Sequence, residues 1–172
     1  MPLNIKYTAK PNENPELGSA AITDTKGLYF INPDGADSTK PVQLWTQGET
    51  EATSVWCPTI DRPGQKTTQE ILMTVPAKYV TLSNGKMVSS KPNSDGTRTD
   101  HWKMELPHAP YLFFMGVGDY AVVKDNYKGK EVSYYVEKEY APVARKIFGN
   151  TPEMMSYFSK ITGIDYPWVK YA

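Results

Sequence analysis

Through most of the chain apolar and polar positions alternate with a period of two, the spacing of half-buried β-strands. Leu3, Ile5, Tyr7 and Ala9 alternate with Asn4, Lys6 and Thr8, which predicts a strand close to the N-terminus. Residues 10–19, rich in Pro and Asn, read as a loop. Residues 27–31 form a short apolar run closed by Asn32-Pro33-Asp34-Gly35, a turn sequence, and 42–46 is the next strand. Glu49 to Ser54 reads as a brief helical turn. In 68–75 the alternation puts Ile71, Met73 and Val75 on one face, and Pro76 ends the run. Residues 79–83 and 86–89 flank Asn84-Gly85, the pair that closes two-residue hairpins. Asn93-Ser94-Asp95-Gly96 marks another turn, and strands are expected over 98–106, 111–117, 120–124 and 131–136.

The period then lengthens. Residues 141–148 and 152–162 read as helices, with Thr151 as N-cap, Pro152 at the first helical position and Gly163 as the stop. Met154, Phe158 and Ile161 share one helical face. The fold class is therefore mainly β, an antiparallel saddle- or sandwich-like β-domain with two C-terminal helices. The change of period sets a boundary near residue 138, dividing the chain into 1–138 and 139–172. A strand at the very start and the aromatic tail Tyr166 to Ala172 make both ends read as cut.

Composition narrows the function. At 172 residues the chain can bury a real core as one domain, or one domain and part of another. Twelve Tyr, four Trp and 14 Pro fit strands joined by many turns. Nineteen Lys plus Arg balance 19 Asp plus Glu, and no basic block exists, so neither a nucleic acid nor an anionic membrane is an expected partner. One cysteine excludes an intramolecular disulfide. There is no signal-peptide h-region and no apolar run of membrane-spanning length. Localisation stays open, because a longer parent could still be exported.

A catalytic zinc takes three side-chain ligands, and zincins place two His one helical turn apart in H-E-x-x-H. The only histidines are His101 and His108, expected on different strands across Pro107 and at the surface or a strand edge. A complete zincin site is absent, so no metal ligand or catalytic residue is assigned in this chain. Cys57, between Trp56 and Pro58, reads as a small buried hydrophobe rather than a nucleophile. No G-x-S-x-G elbow, phosphate-binding Gly-rich loop or calcium-loop spacing occurs. One carboxylate stands out. Gln47-Gly48-Glu49 ends an aromatic strand, where a loop carboxylate can be held rigidly at a domain edge. A fixed anion is what an exopeptidase needs to recognise a free α-ammonium, at about 1.5–3 kcal/mol for a desolvated charge-assisted hydrogen bond.

Taken with other motifs in order, this element resembles the β-domain that precedes the thermolysin-like catalytic domain in zinc aminopeptidases of the aminopeptidase N family. Gln47-Gly48-Glu49 is similar to the family's Gln-x-Glu element. Cys57 to Pro63 is similar to its Pro-Cys-x-Asp-x-Pro loop, although here Cys precedes Pro and Asp61 lies farther on. Leu82-Ser83-Asn84 looks like its Leu-Ser-Asn turn. Tyr111-Leu112-Phe113 through Gly118-Asp119-Tyr120 resembles its Tyr-Leu…Gly-Asp-Phe strand pair. Tyr166-Pro167-Trp168-Val169-Lys170-Tyr171 is similar to the Tyr-Pro-Trp-x-Lys-Tyr that opens the catalytic domain.

The resemblance implies that 1–138 is the later part of the N-terminal β-domain and 139–172 the first, truncated part of the adjoining catalytic domain. It implies a zinc-dependent parent that removes N-terminal residues from peptides. Glu49 would then bind the substrate's amino terminus and Gln47 fix the geometry around it. The chain alone is expected to hold no zinc and to be inactive, with a peptide N-terminus and its own catalytic domain as partners. The rival reading is a carbohydrate- or protein-binding β-sandwich without enzymatic activity, in which Trp45, Trp56 and Trp102 could stack on sugars.

Overall fold

The structure is a computed structural model and describes residues 2–13 and 26–172. Part of the expected loop over 10–19 lies outside the described residues. The segment 2–10 is irregular rather than a strand, and Leu3, Ile5 and Tyr7 are exposed. Alternation there has no neighbouring strand to pair with. Two residues anchor it: the Tyr7 hydroxyl donates to the Trp56 carbonyl at 2.7 Å, and Ala9 packs on the core at Leu28, Trp56 and Phe113.

The main body is two antiparallel sheets packed face to face. One contains β1 (Leu28–Ile31), β2 (Gln43–Thr46), β4 (Val80–Ser83) and β7 (Met115–Gly118), in the order β1-β2-β7-β4. The other contains β3 (Thr67–Pro76), β5 (Lys86–Pro92) and β6 (Thr97–His108), in the order β3-β6-β5. Met73 and Val75 point inward with Trp102, beside Ile71 of the same strand, and meet Leu82, Met115 and Val117 across the interface. Leu28, Trp56 and Phe113 continue this core toward one end, with Leu44 and Cys57 packed on them. Ile71, Met73 and Val75 thus share the core face, as the alternation predicts, while Leu72 between them is exposed.

A third sheet of β8 (Tyr120–Tyr127), β9 (Lys130–Glu137) and β10 (Lys170–Tyr171) supports the helices α1 (Ala141–Phe148) and α2 (Thr151–Thr162). Its core is Tyr127, Val132, Tyr134 and Met155. Gly163, at φ 70°, ends α2 in the left-handed conformation expected of it. Thr151 does not cap α2 with its side chain; its hydroxyl donates backwards to the Phe148 carbonyl at 2.7 Å. Met154, Phe158 and Ile161 do share a face, but that face is open, and Met155 is the residue that α2 buries.

Asn84-Gly85 does not close a hairpin. β4 pairs with β7, and β5 pairs with β6, so the chain changes sheets at this corner. Asn84 explains why: its amide donates to the Leu112 carbonyl at 2.8 Å and accepts from the Phe114 N–H at 2.6 Å, holding it against another segment. Gly85 (φ 78°) crosses β6 so closely that a Cβ would lie 1.9 Å from the Lys103 carbonyl oxygen. The run 111–117 is likewise not one strand. Pro110–Leu112 is a 3-10 turn, and the strand begins only at Met115. Both histidines belong to β6, not to different strands. His101 bonds Glu70 at 3.1 Å near the surface, whereas His108 is 2% exposed and belongs to the core.

Candidate functional site

β2 delivers the chain to Gln47-Gly48-Glu49 at the end of its sheet. The Gln47 N–H donates to the Gly27 carbonyl at 3.0 Å. Gly48 is buried, and a Cβ on it would lie 2.4 Å from Thr53 Oγ1 and 2.6 Å from the Tyr111 carbonyl oxygen. Only glycine fits between them. The Gly48 carbonyl accepts from the Ala52 N–H at 2.9 Å, closing a turn in which the Glu49–Thr50 peptide is cis. The expected helical turn after Glu49 is this turn followed by a 3-10 turn at Thr53–Val55.

The turn is backed from behind. Thr53 is fully buried, and its hydroxyl donates to the Pro110 carbonyl at 2.8 Å. The Asp61 carboxylate accepts from the Ser54 N–H at 2.8 Å, so the Pro-flanked loop is tied under the same turn. Burial, with Asp61 acting in the same direction, pushes the Cys57 thiol up, which keeps it protonated and unreactive. On the outer side, Gln47 and Glu49 are both exposed. Among the described residues neither side chain has a hydrogen-bond or ion-pair partner in the chain; the nearby Arg62 is 3.9 Å from Glu51 instead. A carboxylate with its backbone fixed and its oxygens free is able to accept an external ammonium.

The motifs behind this element converge in space. Thr46 Oγ1 donates to the Phe113 carbonyl at 3.4 Å and accepts from the Met115 N–H at 2.9 Å, joining β2 to the 110–114 segment. Asn84 holds the same segment from the other side. The aromatic tail closes over the Leu82-Ser83-Asn84-Gly85 corner. There the Lys170 ammonium donates to the carbonyls of Ser83 and Gly85 and sits 4.6 Å from the centre of the Trp102 ring. Burial holds Lys170 down at about 8, although Glu131 pulls the other way. Lys130 anchors the tail through the Tyr166 and Trp168 carbonyls at 2.5 and 2.9 Å. A cavity of about 300 Å³ remains between corner and tail, lined by Ser83, His108, Leu112, Trp168 and Lys170 among others.

Trp56 and Trp102 are core residues, 8% and 4% exposed, and cannot form a sugar-stacking platform. Trp45 stacks on Tyr29 with ring centres 4.3 Å apart. Among the described residues no group of three or more His, Cys, Asp or Glu could hold a metal ion, so these residues do not fit a zinc site. No described helix is long and apolar enough to cross a membrane. Gln47 and Glu49 are thus both exposed, on either side of the buried Gly48. Thr53, His108 and Lys170 were not foreseen as part of the supporting structure. The Leu-Ser-Asn turn was a pointer to Asn84, but a lone Thr or His in such a pattern carries no comparable signal.

The sequence profile of the peptidase M1 N-terminal domain matches residues 2–112. The chain belongs to that family. The match to the M1 N-terminal domain takes in Gln47-Gly48-Glu49 and the Asn84 corner, and ends at Leu112, within the segment that backs Gly48. A curated relative, transcription initiation factor TFIID subunit 2 of Gallus gallus, is 23% identical over 145 residues. That alignment covers 83% of this chain and 12% of the relative, so the chain spans only a small part of the relative's length.

Proposed function

We propose that this M1 N-terminal domain acts as the substrate-positioning part of a zinc metallo-aminopeptidase. The observation that carries the reading is Glu49, an exposed carboxylate without a partner among the described residues, standing on a backbone that Thr53, Tyr111 and Asp61 hold from behind. In the parent, Glu49 accepts a charge-assisted hydrogen bond from the α-ammonium of a peptide, and Gln47 orients the same end. Residues 139–172 form the first helices of the adjoining catalytic domain. The zinc and its activated water lie in that domain's further sequence, and hydrolysis is theirs.

Fixing the ammonium sets the register of the scissile bond, so loss of the anchor lowers kcat/KM without touching the metal. In the full-length parent, Glu49→Ala is expected to reduce kcat/KM for an aminoacyl-anilide by roughly 10- to 100-fold, the equivalent of about 1.5–3 kcal/mol, with zinc content unchanged. An unaltered kcat/KM removes Glu49 from the site.

A second reading is a protein-binding scaffold without catalysis. It is favoured by the resemblance to a transcription initiation factor subunit and by the open apolar face of α2. The same assay separates the two, because a scaffold parent shows no chelator-sensitive cleavage.

A further inference from the structure

The segment 109–113, which carries Tyr111 against Gly48, leaves β6 at His108 and enters β7 just after Phe114. Its two ends are joined by a buried chain of side chains. His108 Nδ1 lies 3.0 Å from the Leu106 carbonyl, and His108 Nε2 lies 3.0 Å from the Gln69 amide oxygen. The Gln69 amide nitrogen donates to Ser83 Oγ at 3.2 Å, and Ser83 Oγ donates to the Phe114 carbonyl at 2.7 Å. His108, Gln69 and Ser83 are 2%, 8% and 2% exposed.

Both ends of this chain are carbonyl oxygens, which only accept. Starting from Phe114, Ser83 must spend its single proton on that carbonyl. It then accepts from Gln69, which therefore turns its oxygen toward His108. From the other end, Leu106 requires a proton on Nδ1. His108 must donate from both nitrogens, and only the imidazolium has both protons. Turning the Gln69 amide over does not help a neutral ring; it moves the unmet contact from His108 to Ser83. With a neutral histidine the row is one proton short in every arrangement, in an interior where an unmet polar contact is costly.

We propose that His108, Gln69 and Ser83 form a buried one-proton binding site, and that protonation of His108 clamps the base of the 109–113 segment on which the Gly48-Glu49 turn rests. The charged ring completes the row and holds Phe114 to Ser83. Loss of the proton leaves one junction of the row unmet and removes this tie at the base of the segment, which Thr46 and Asn84 still hold farther along. The charged and titratable neighbours are few. From β3 the facing group is the Gln69 amide, and from the tail it is the Trp168 ring. Phe113 packs on the imidazole from its own segment, Met104 and Asn84 line the adjoining cavity without charge, and the tail brings the Tyr166 phenol and the terminal residue Ala172 to the same cavity. The Lys170 ammonium shares that cavity and opposes a second positive charge. Glu70 and Glu105 are engaged by Lys103 at 3.4 Å each, away from this row. The consequence for substrate rests on the reading of Glu49 as an anchor; the proton row itself does not.

The test is an NMR titration of the 172-residue chain, following the ring nitrogens of both histidines and the Gln69 side-chain amide. His101, partly exposed and bonded to Glu70, is the internal control. As pH rises, the Gln69 amide, which touches the row's missing proton in every arrangement, is expected to move with the same midpoint as His108. Ser83→Ala removes the far acceptor's demand and should move the His108 midpoint to lower pH by about one unit, a tenfold loss of proton affinity, leaving His101 unmoved. Gln69→Glu, which presents an acceptor to the ring under all conditions, should move it the opposite way and decides the matter if Ser83→Ala does not fold. A His108 midpoint indifferent to these substitutions, or a Gln69 amide that ignores the ring's titration, overturns the proposal. Neither readout involves peptide, so failure of the Glu49 anchor leaves it standing.

Discussion

The packed sheets and the C-terminal helices treat their interiors in opposite ways. Between the sheets even charges are buried. Asp100 is fully buried and accepts from Thr81 at 2.7 Å, Ser90 at 2.6 Å and Arg98 at 3.0 Å. On the helices, large apolar groups face outward: Ile147, Met154, Tyr157, Phe158, Ile161 and Ile164 are all more than half exposed. The first region pairs its buried Asp100 with its own donors. The second carries an apolar face whose covering is not supplied by this chain's described residues. The contrast is between a charge held in place inside the sheets and an apolar helix face left open.

The largest effect expected on that contrast is from Asp100→Ala. It leaves the Arg98 guanidinium and the hydroxyls of Thr81 and Ser90 without their common acceptor. A loss of about 3–5 kcal/mol in urea unfolding is expected. The native residue also predicts a pH dependence. Burial alone would raise the Asp100 carboxyl, but hydrogen bonds from Arg98, Ser90 and Thr81 outweigh it and hold it low. Stability from this group is therefore full above the unfolded value near about 4, and is lost as pH falls through the lower folded value. Asp100→Asn should flatten that acid limb.

Gly48→Ala comes next. The methyl group meets Thr53 and the Tyr111 backbone rather than a flexible tip, so about 1–3 kcal/mol of destabilisation is expected by thermal unfolding, with Glu49 displaced. A silent substitution would show that the turn is not held from behind.

The smallest effect belongs to the helices. Phe158→Asp, at a residue 59% exposed, should change this chain's stability by less than about 0.5 kcal/mol. In the full-length parent the same change should cost well over about 1 kcal/mol if α2 packs against the rest of the catalytic domain. Equal, small effects in both would make the helices a free surface and break the comparison.

Much of this architecture is legible in the residues. Alternation in 68–75 located β3 and its buried face, Ala141–Phe148 was read to its ends, and Pro152 and Gly163 bounded α2 within a residue. Leu3 to Ala9 misled because a period of two records an amphipathic run, not a partner strand. Asn84-Gly85 misled because the local turn signal says nothing about Asn84's amide being claimed by Leu112 and Phe114. At the site, Gln47 and Glu49 could be named from order and residue type. The backing by Thr53 and Tyr111, and the burial of His108, depend on contacts 57 and more residues apart or on a strand running past Pro107.

The account's central claim is most directly tested by a crystal structure of the full-length parent with a bound amino-terminal dipeptide analogue. The prediction is a Glu49 carboxylate oxygen about 2.7–2.9 Å from the ligand's α-ammonium, with Gly48 still seated against Tyr111. A ligand bound at the metal with its ammonium held elsewhere, and Glu49 facing open solvent, would contradict it.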